Sequence, residues 1–125
     1  MRLLLDAHAL LWWLADDPTL APTARAAIAD PVNDVFVSAA TVWEIALKRA
    51  LGKLEAPPDL VATLDDLEFQ ELPVTGVDGQ NAAALDPHHR DPFDRMLVAQ
   101  AVRLDASIVT RDPAFALYGA STVRA

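Results

Sequence analysis

Residues 2–14, RLLLDAHALLWWL, contain a short strand and a helix with one acidic residue between them. Arg2 to Leu5 is apolar after its first residue, which is typical of a strand that is buried on both faces. His8 to Ala15 has helical rather than alternating spacing, and Asp16-Asp17-Pro18 ends that helix. A buried strand that leads directly into a helix favours an α/β fold, with Asp6 at the end of the strand.

The rest of the chain repeats this alternation of strand and helix. Further strands are predicted at Val35–Val37, Ser107–Thr110 and, more weakly, Phe69–Val74 and Thr122–Arg124. Further helices are predicted at Ala21–Ala29, from a Ser38 cap to Ala50, at Pro57–Leu67, at Thr75–Leu85 and from an Asp91 cap to Leu104, with one turn at Pro113–Leu117. This order predicts an α/β fold, a three-layer α/β/α sandwich with a mostly parallel sheet.

The composition sets the class of protein. The 125 residues are 53% hydrophobic and 22% charged, so we expect one globular domain that covers residues 1–125. There is no cysteine, which excludes disulfides and thiolate zinc sites. Asp6 and His8 interrupt the first apolar run, which argues against a signal peptide. No stretch has the roughly 20 apolar residues that a membrane span needs. We therefore expect a cytoplasmic protein that does not enter a membrane.

The net charge of −8 argues against a protein that binds nucleic acid through charge alone. Phosphate contacts come mainly from Lys and Arg, so such proteins are usually basic. An excess of acid is compatible with nucleic acid if it surrounds a divalent cation, which inverts the local sign of charge. The placement of the acidic residues therefore decides the question.

Four carboxylates are predicted to meet at one edge of the sheet, where ligands bind in open parallel sheets. Asp6 follows the first strand, and Asp112 follows the strand Ser107–Thr110 after one residue. Glu44 lies less than two turns after the start of the helix that Ser38 caps. Asp94 lies in the first turn of the helix that Asp91 caps. Each acid alone is better explained as a cap, a turn residue or a solvated charge. Only their shared location indicates a site.

Crowded carboxylates raise one another's pKa and oppose folding, and a hard divalent cation reverses this. Mg²⁺ or Mn²⁺ at such a site can activate water and neutralise charge on a phosphate, which predicts phosphodiester hydrolysis. Asp91 is interpreted as a structural N-cap. The three histidines, His8, His88 and His89, lack the spacing of metal ligands and are interpreted as surface or cap residues.

At this point the chain resembles a known family, the PIN-domain ribonucleases, and within it the VapC-type toxins of toxin-antitoxin pairs. The resemblance covers nearly the whole chain and depends on four segments in order. These are LLLDAHALLWWL from Leu3, SAATVWEIALKRALGKL from Ser38, HRDPFDRMLVAQA from His89 and IVTRDPAF from Ile108. No segment is decisive alone, but the four together are a specific signal.

The resemblance implies a three-layer sandwich, a divalent metal and endoribonuclease activity. It also implies a homodimer and an antitoxin that wraps the toxin and blocks its site. The family's acids correspond to Asp6, Glu44, Asp94 and Asp112. Similar sequences often carry Thr or Ser after the first acid, whereas Ala7 stands here. Without that hydroxyl to orient Asp6, we expect metal binding to be weaker but not lost.

Two alternatives remain open on the residues. A receiver-type signalling domain would need paired acids after the first strand and a Lys near the end, and no Lys follows Lys53. A PIN fold could also serve as a binding module without catalysis. For the ribonuclease, a basic rim around the acids is expected to contact RNA, with Arg95, Arg111, Arg90 and Lys48 as its main members.

Overall fold

Strands and helices alternate along residues 1–125, all of which are described by a computed structural model. The strands are β1 Arg2–Leu5, β2 Asp34–Ser38, β3 Gln70–Leu72, β4 Ser107–Thr110 and β5 Thr122–Arg124. The α-helices are α1 Ala7–Leu14, α2 Pro22–Ala29, α3 Ala39–Ala50, α4 Leu60–Asp66, α5 Gly76–Ala84 and α6 Pro92–Leu104, and a 3-10 helix spans Pro113–Tyr118. No helix is both long and apolar enough to span a bilayer.

The five strands form one sheet in the order β3-β2-β1-β4-β5, and every neighbouring pair is parallel. From the central β1 the chain adds β2 and β3 on one side, and β4 and β5 later on the other. The order therefore reverses between β1 and β4, the position where ligands bind in open α/β sheets. Receiver domains have the flavodoxin-like order 2-1-3-4-5, so this topology excludes the receiver alternative.

Alternate residues of the strands bury two separate apolar clusters, which confirms the predicted three layers. Leu3 and Leu5 face a cluster that includes residues of α1, α2, α3 and α4. Leu4 faces the opposite way, into a cluster with α6 and the 3-10 helix. All three leucines are fully buried, and burying each contributes about 1.5–3 kcal/mol. This double burial explains why β1 is apolar at every position after Arg2.

Two elements differ in extent from their prediction, each for a local reason. The helix predicted from Pro57 begins only at Leu60, because the side chain of Asp59 accepts a hydrogen bond from Ala62 N at 3.1 Å and caps it there. The strand predicted over Phe69–Val74 shrinks to Gln70–Leu72 at the sheet edge. Pro73, which has no N–H to donate, follows directly.

Candidate metal centre

A cavity of about 120 Å³ lies beyond the carboxyl ends of β1 and β4. Asp6, Glu44, Asp94 and Asp112, the four acids selected from the sequence, all line it. Asp6 and Glu44 are buried, whereas Asp94 and Asp112 are half-buried. Each acid comes from a different segment, so the sheet and the helices that cover it bring the four together.

Asp6 has two roles in the structure. Its Oδ1 accepts a hydrogen bond from Ala9 N at 2.8 Å, so it is the N-cap of α1 as well as a wall of the cavity. Burial raises the pKa of Asp6, and the nearby charge of Glu44 adds to this, while hydrogen bonds from the Thr110 side chain and the Ala9 backbone lower it. Thr110 thus supplies a hydroxyl group close to Asp6, which the methyl side chain of Ala7 cannot do.

Glu44 is buried on the first turns of α3 and is paired with a lysine one turn later. Its Oε2 lies 2.7 Å from Lys48 Nζ. The hydrogen bond to Glu44 raises the pKa of Lys48 despite some desolvation, and the charges of Asp91 and Asp94 act in the same direction. A buried carboxylate is costly without a partner, and Lys48 supplies one at the cavity wall.

Asp94 shows most directly how crowded the acids are. Burial raises the pKa of Asp94 to about 7, and the charges of Asp91, Glu44 and Asp6 add to the shift while His89 opposes it. A carboxylate in this position holds a proton more tightly than usual because nearby negative charge resists its ionisation. The donors are mainly carboxylate oxygens, which Mg²⁺ and Mn²⁺ prefer, so the residues present fit a divalent cation.

Asp112 is held at three points. Its backbone N–H donates to Thr110 Oγ1 at 3.0 Å, and its Oδ1 accepts from Ala114 N at 2.9 Å as the N-cap of the 3-10 helix. Its Oδ2 lies 3.0 Å from His89 Nε2. These contacts fix the direction in which the carboxylate points, although the side chain is 39% exposed.

His89 belongs to the site; from the sequence it was a surface or cap residue that also counted among the bases expected close to the acids. Its Nε2 lies 2.8 Å from Asp94 Oδ2, in addition to the contact with Asp112. One ligand atom from each of these three residues lies within 4.8 Å of the others. The signal that could have found His89 is its place two residues before Asp91, which lines the cavity and, as predicted, caps α6 by accepting from Phe93 N at 2.8 Å.

The four cations expected to form a basic rim have different surroundings. Arg95 donates hydrogen bonds to five backbone carbonyls between residues 82 and 89. Arg111 donates to the backbone oxygens of Thr19 and Ala125, and its guanidinium lies 4.7 Å from the centroid of the Trp12 ring. Lys48 is paired with Glu44, and Arg90 is exposed. Arg95 and Arg111 thus hold backbone oxygens, while Arg95 Nε and Arg111 Nη1 make no such bond, and the contact of the four cations with RNA stays a prediction.

Several solved structures share this fold over almost their whole length. The FitAcB structure from Neisseria gonorrhoeae aligns with a TM-score of 0.68 at 21% identity, covering 98% of this chain and 96% of that chain. VapBC2 from Rickettsia felis, bound to a DNA fragment from their promoter, aligns with a TM-score of 0.70 at 13% identity, covering 98% of both chains. A toxin-antitoxin complex from Klebsiella pneumoniae aligns with a TM-score of 0.61 at 15% identity, covering 97% and 95%.

No curated protein matches the sequence. The family model of the PIN domain, in contrast, matches residues 3–120. That match spans β1 through the 3-10 helix and contains all the residues that line the cavity. With the parallel sheet and the acidic cavity at its switch point, it shows that the chain belongs to the PIN-domain family.

Proposed function

We propose that this protein is a metal-dependent endoribonuclease that hydrolyses phosphodiester bonds of RNA. The observation that carries the proposal is the cavity in which Asp6, Glu44, Asp94 and Asp112 meet at the switch point of the sheet. Carboxylates that four segments bring close together repel one another and oppose folding unless a bound ligand stabilises them. Phosphodiester hydrolysis is the chemistry that a cation held by carboxylates supports best.

In this proposal the four acids hold Mg²⁺ or Mn²⁺. The bound cation would activate a water molecule and neutralise charge that develops on the phosphate. Lys48 balances the charge of Glu44, and Thr110 orients Asp6 and Asp112. Among the four predicted RNA contacts, Lys48 lines the cavity and Arg90 is exposed just before α6. Arg95 and Arg111 would contact RNA with the N–H groups that their bonds to backbone oxygens leave free.

We further propose that the protein is the toxin of a toxin-antitoxin pair and acts in the cytoplasm. The support is the resemblance to VapC-type toxins together with the fold shared with the Neisseria, Rickettsia and Klebsiella complexes. The partner would be an antitoxin protein that covers the cavity. Co-expression with the gene product encoded beside it should protect cells from this protein, and a protein that is harmless when expressed alone would count against the toxin role.

A homodimer is the third part of the proposal, and an exposed apolar groove of about 550 Å³ offers its surface. Trp43 on α3 is 64% exposed and meets Phe93 of α6 edge to face at 5.2 Å between ring centroids. Leu47 and Val74 extend the same groove. A large apolar patch of this kind marks an interface more often than an isolated exposed residue does. Trp43→Glu should convert a dimer to a monomer in light scattering.

The central test is incubation of the purified protein with a mixed pool of single-stranded RNA. We expect cleavage with Mg²⁺ or Mn²⁺ and none in excess EDTA. Asp6→Asn should abolish cleavage without unfolding the protein. Asp66→Asn, which removes an exposed acid at the end of α4, is the matched control and should cleave normally. Binding of RNA without cleavage under any metal would indicate the remaining alternative, a PIN fold used only as a binding module.

A further inference from the structure

The loop between α5 and α6 holds His89 in place through its backbone. His89 N donates a hydrogen bond to Tyr118 Oη at 2.8 Å, and Tyr118 in turn donates to Asp86 O at 2.8 Å. His89 O accepts from Arg95 Nη1 at 3.1 Å. The imidazole packs beside Phe115, with 6.0 Å between ring centroids. The position of the ring is therefore set by residues of the 3-10 helix and of α6.

One hydrogen bond fixes which ring nitrogen carries the proton. Asp91 N lies 3.2 Å from His89 Nδ1 and, as a backbone amide, can only donate. Nδ1 must therefore be the unprotonated nitrogen, and the N–H of the ring is on Nε2. Nε2 is the atom that lies 2.8 Å from Asp94 Oδ2 and 3.0 Å from Asp112 Oδ2. Each Oδ2 can accept a hydrogen bond, so the geometry suits one N–H shared between two acceptors.

We infer that His89 is a positioning residue that draws the carboxylates of Asp94 and Asp112 together through its Nε2–H, and that it is not a metal ligand. A metal ligand would need a free lone pair on Nε2, and that nitrogen carries the proton. Each Oδ2 keeps a further lone pair for a cation. The inference rests on the proposed function in one respect, namely that these two carboxylates serve a divalent cation.

The physical reason for such a residue is the repulsion between the two acids. Left alone, two carboxylates this close separate or share a proton. A donor between them replaces that repulsion with two attractive contacts and leaves the acids oriented before a cation arrives. Because Arg95 and Tyr118 hold the loop that carries His89, the arginine predicted to contact RNA also has an indirect role in the same site.

The tautomer is measured directly by long-range ¹H–¹⁵N correlation spectra of the histidine rings of the intact protein, first in EDTA and then with Mg²⁺. We expect His89 to carry its proton on Nε2 in both spectra. The assignment comes from loss of one ring system in His89→Gln. A proton on Nδ1 in EDTA would show that Nε2 has no N–H to share, and transfer of the proton to Nδ1 when Mg²⁺ binds would show that Nε2 is a ligand; either result would overturn the inference.

The positioning role is tested by calorimetric titration with Mg²⁺. We expect His89→Ala to weaken Mg²⁺ binding by about 10–100-fold, the range for residues that orient ligands. His89→Gln keeps an N–H donor, so its Mg²⁺ affinity should lie closer to that of the unaltered protein. His88→Ala changes an exposed residue one position away, and its Mg²⁺ affinity should equal that of the unaltered protein. Unchanged affinity in a folded His89→Ala protein would remove the positioning role. Absence of Mg²⁺ binding by the unaltered protein would instead defeat the proposed metal-dependent function, and the spectra in EDTA would still decide the tautomer.

Discussion

Thr110 accepts a hydrogen bond on its Oγ1 from the backbone N–H of Asp112 at 3.0 Å, and the interaction of the same side chain with Asp6 lowers the pKa of that carboxyl. Thr110 is the last residue of β4 and is buried, next to the strand that Asp6 follows. One hydroxyl thus links the two acids that come directly from the strands. It therefore lies at the boundary between β1 and β4, where the strand order reverses.

Thr110→Val should therefore weaken the site without changing its shape. The variant keeps the β-branched volume and leaves the Asp112 N–H without its acceptor, which should lower the free energy of unfolding by about 1–3 kcal/mol. Metal affinity should fall by about 10–100-fold, because orientation of two ligands is lost. Denaturant unfolding and metal titration measure the two effects. Thr110→Ser keeps the hydroxyl and should lose less of both. Equal losses in the two variants would contradict the role of the hydroxyl.

Divalent metal should stabilise the folded protein. A ligand of the native state stabilises by mass action, by about 2.7 kcal/mol at a hundredfold excess over its dissociation constant. We expect the melting temperature to rise with Mg²⁺ or Mn²⁺ and to return to its starting value in EDTA. Asp94→Asn should raise the melting temperature of the metal-free protein and reduce the response to metal. A melting temperature that ignores millimolar metal would argue strongly against a clustered site.

Stability of the metal-free protein should depend on pH through Asp94. Burial raises the pKa of this carboxyl from 3.8 to about 7, so the folded protein keeps a proton that the unfolded chain has already lost between these values. The free energy of unfolding should therefore fall as the pH rises towards and through about 7. Asp94→Asn should flatten this dependence, which urea unfolding in EDTA across that interval would show. The same slope in both proteins would mean that other groups produce it.

Arg95 and Arg90 should respond differently to removal. Arg95→Ala leaves carbonyls at the end of α5 and in the following loop without a donor, so it should cost about 1–3 kcal/mol of stability. Arg95→Lys should not restore this, because an ammonium lacks the planar fork of donors. Arg90→Ala should leave stability unchanged but flatten the salt dependence of RNA binding by about one phosphate contact. An unchanged salt slope would remove Arg90 from the RNA surface.

The acids of the site were predictable because regular elements place them. A short apolar strand has a defined direction, and in a parallel sheet the residues after each strand meet at one edge. Asp6 and Asp112 follow strands, and Glu44 and Asp94 lie on helices whose starts are marked by Ser38 and Asp91. For Asp6 the cap explanation is confirmed, and the same carboxylate also lines the cavity, so the two explanations do not exclude each other.

The neighbours of the acids were harder to predict. Lys48 lies one turn after Glu44, a spacing that favours an ion pair on any helix, so this partner could have been found. His89 lies in the loop between α5 and α6, and its backbone oxygen accepts a hydrogen bond from Arg95. The loop has no periodic sequence pattern, and its geometry depends on Tyr118, which is near the other end of the chain. The local pattern places His89 close to Asp91, but it does not contain the contacts that fix this loop.

The order of the strands has a consequence for how the protein matures. β1 pairs with β4, and the two strands are separated by most of the chain. The entropy of closing this long loop is lost before the contacts between the two strands can stabilise the fold. Asp6 and Asp112 therefore come together only when that pairing is complete. A chain in which β4 is still detached contains all of the acidic residues but no assembled centre. For the RNA-cleaving toxin proposed above, completion of the fold would in this sense be the first safeguard, before any partner protein binds.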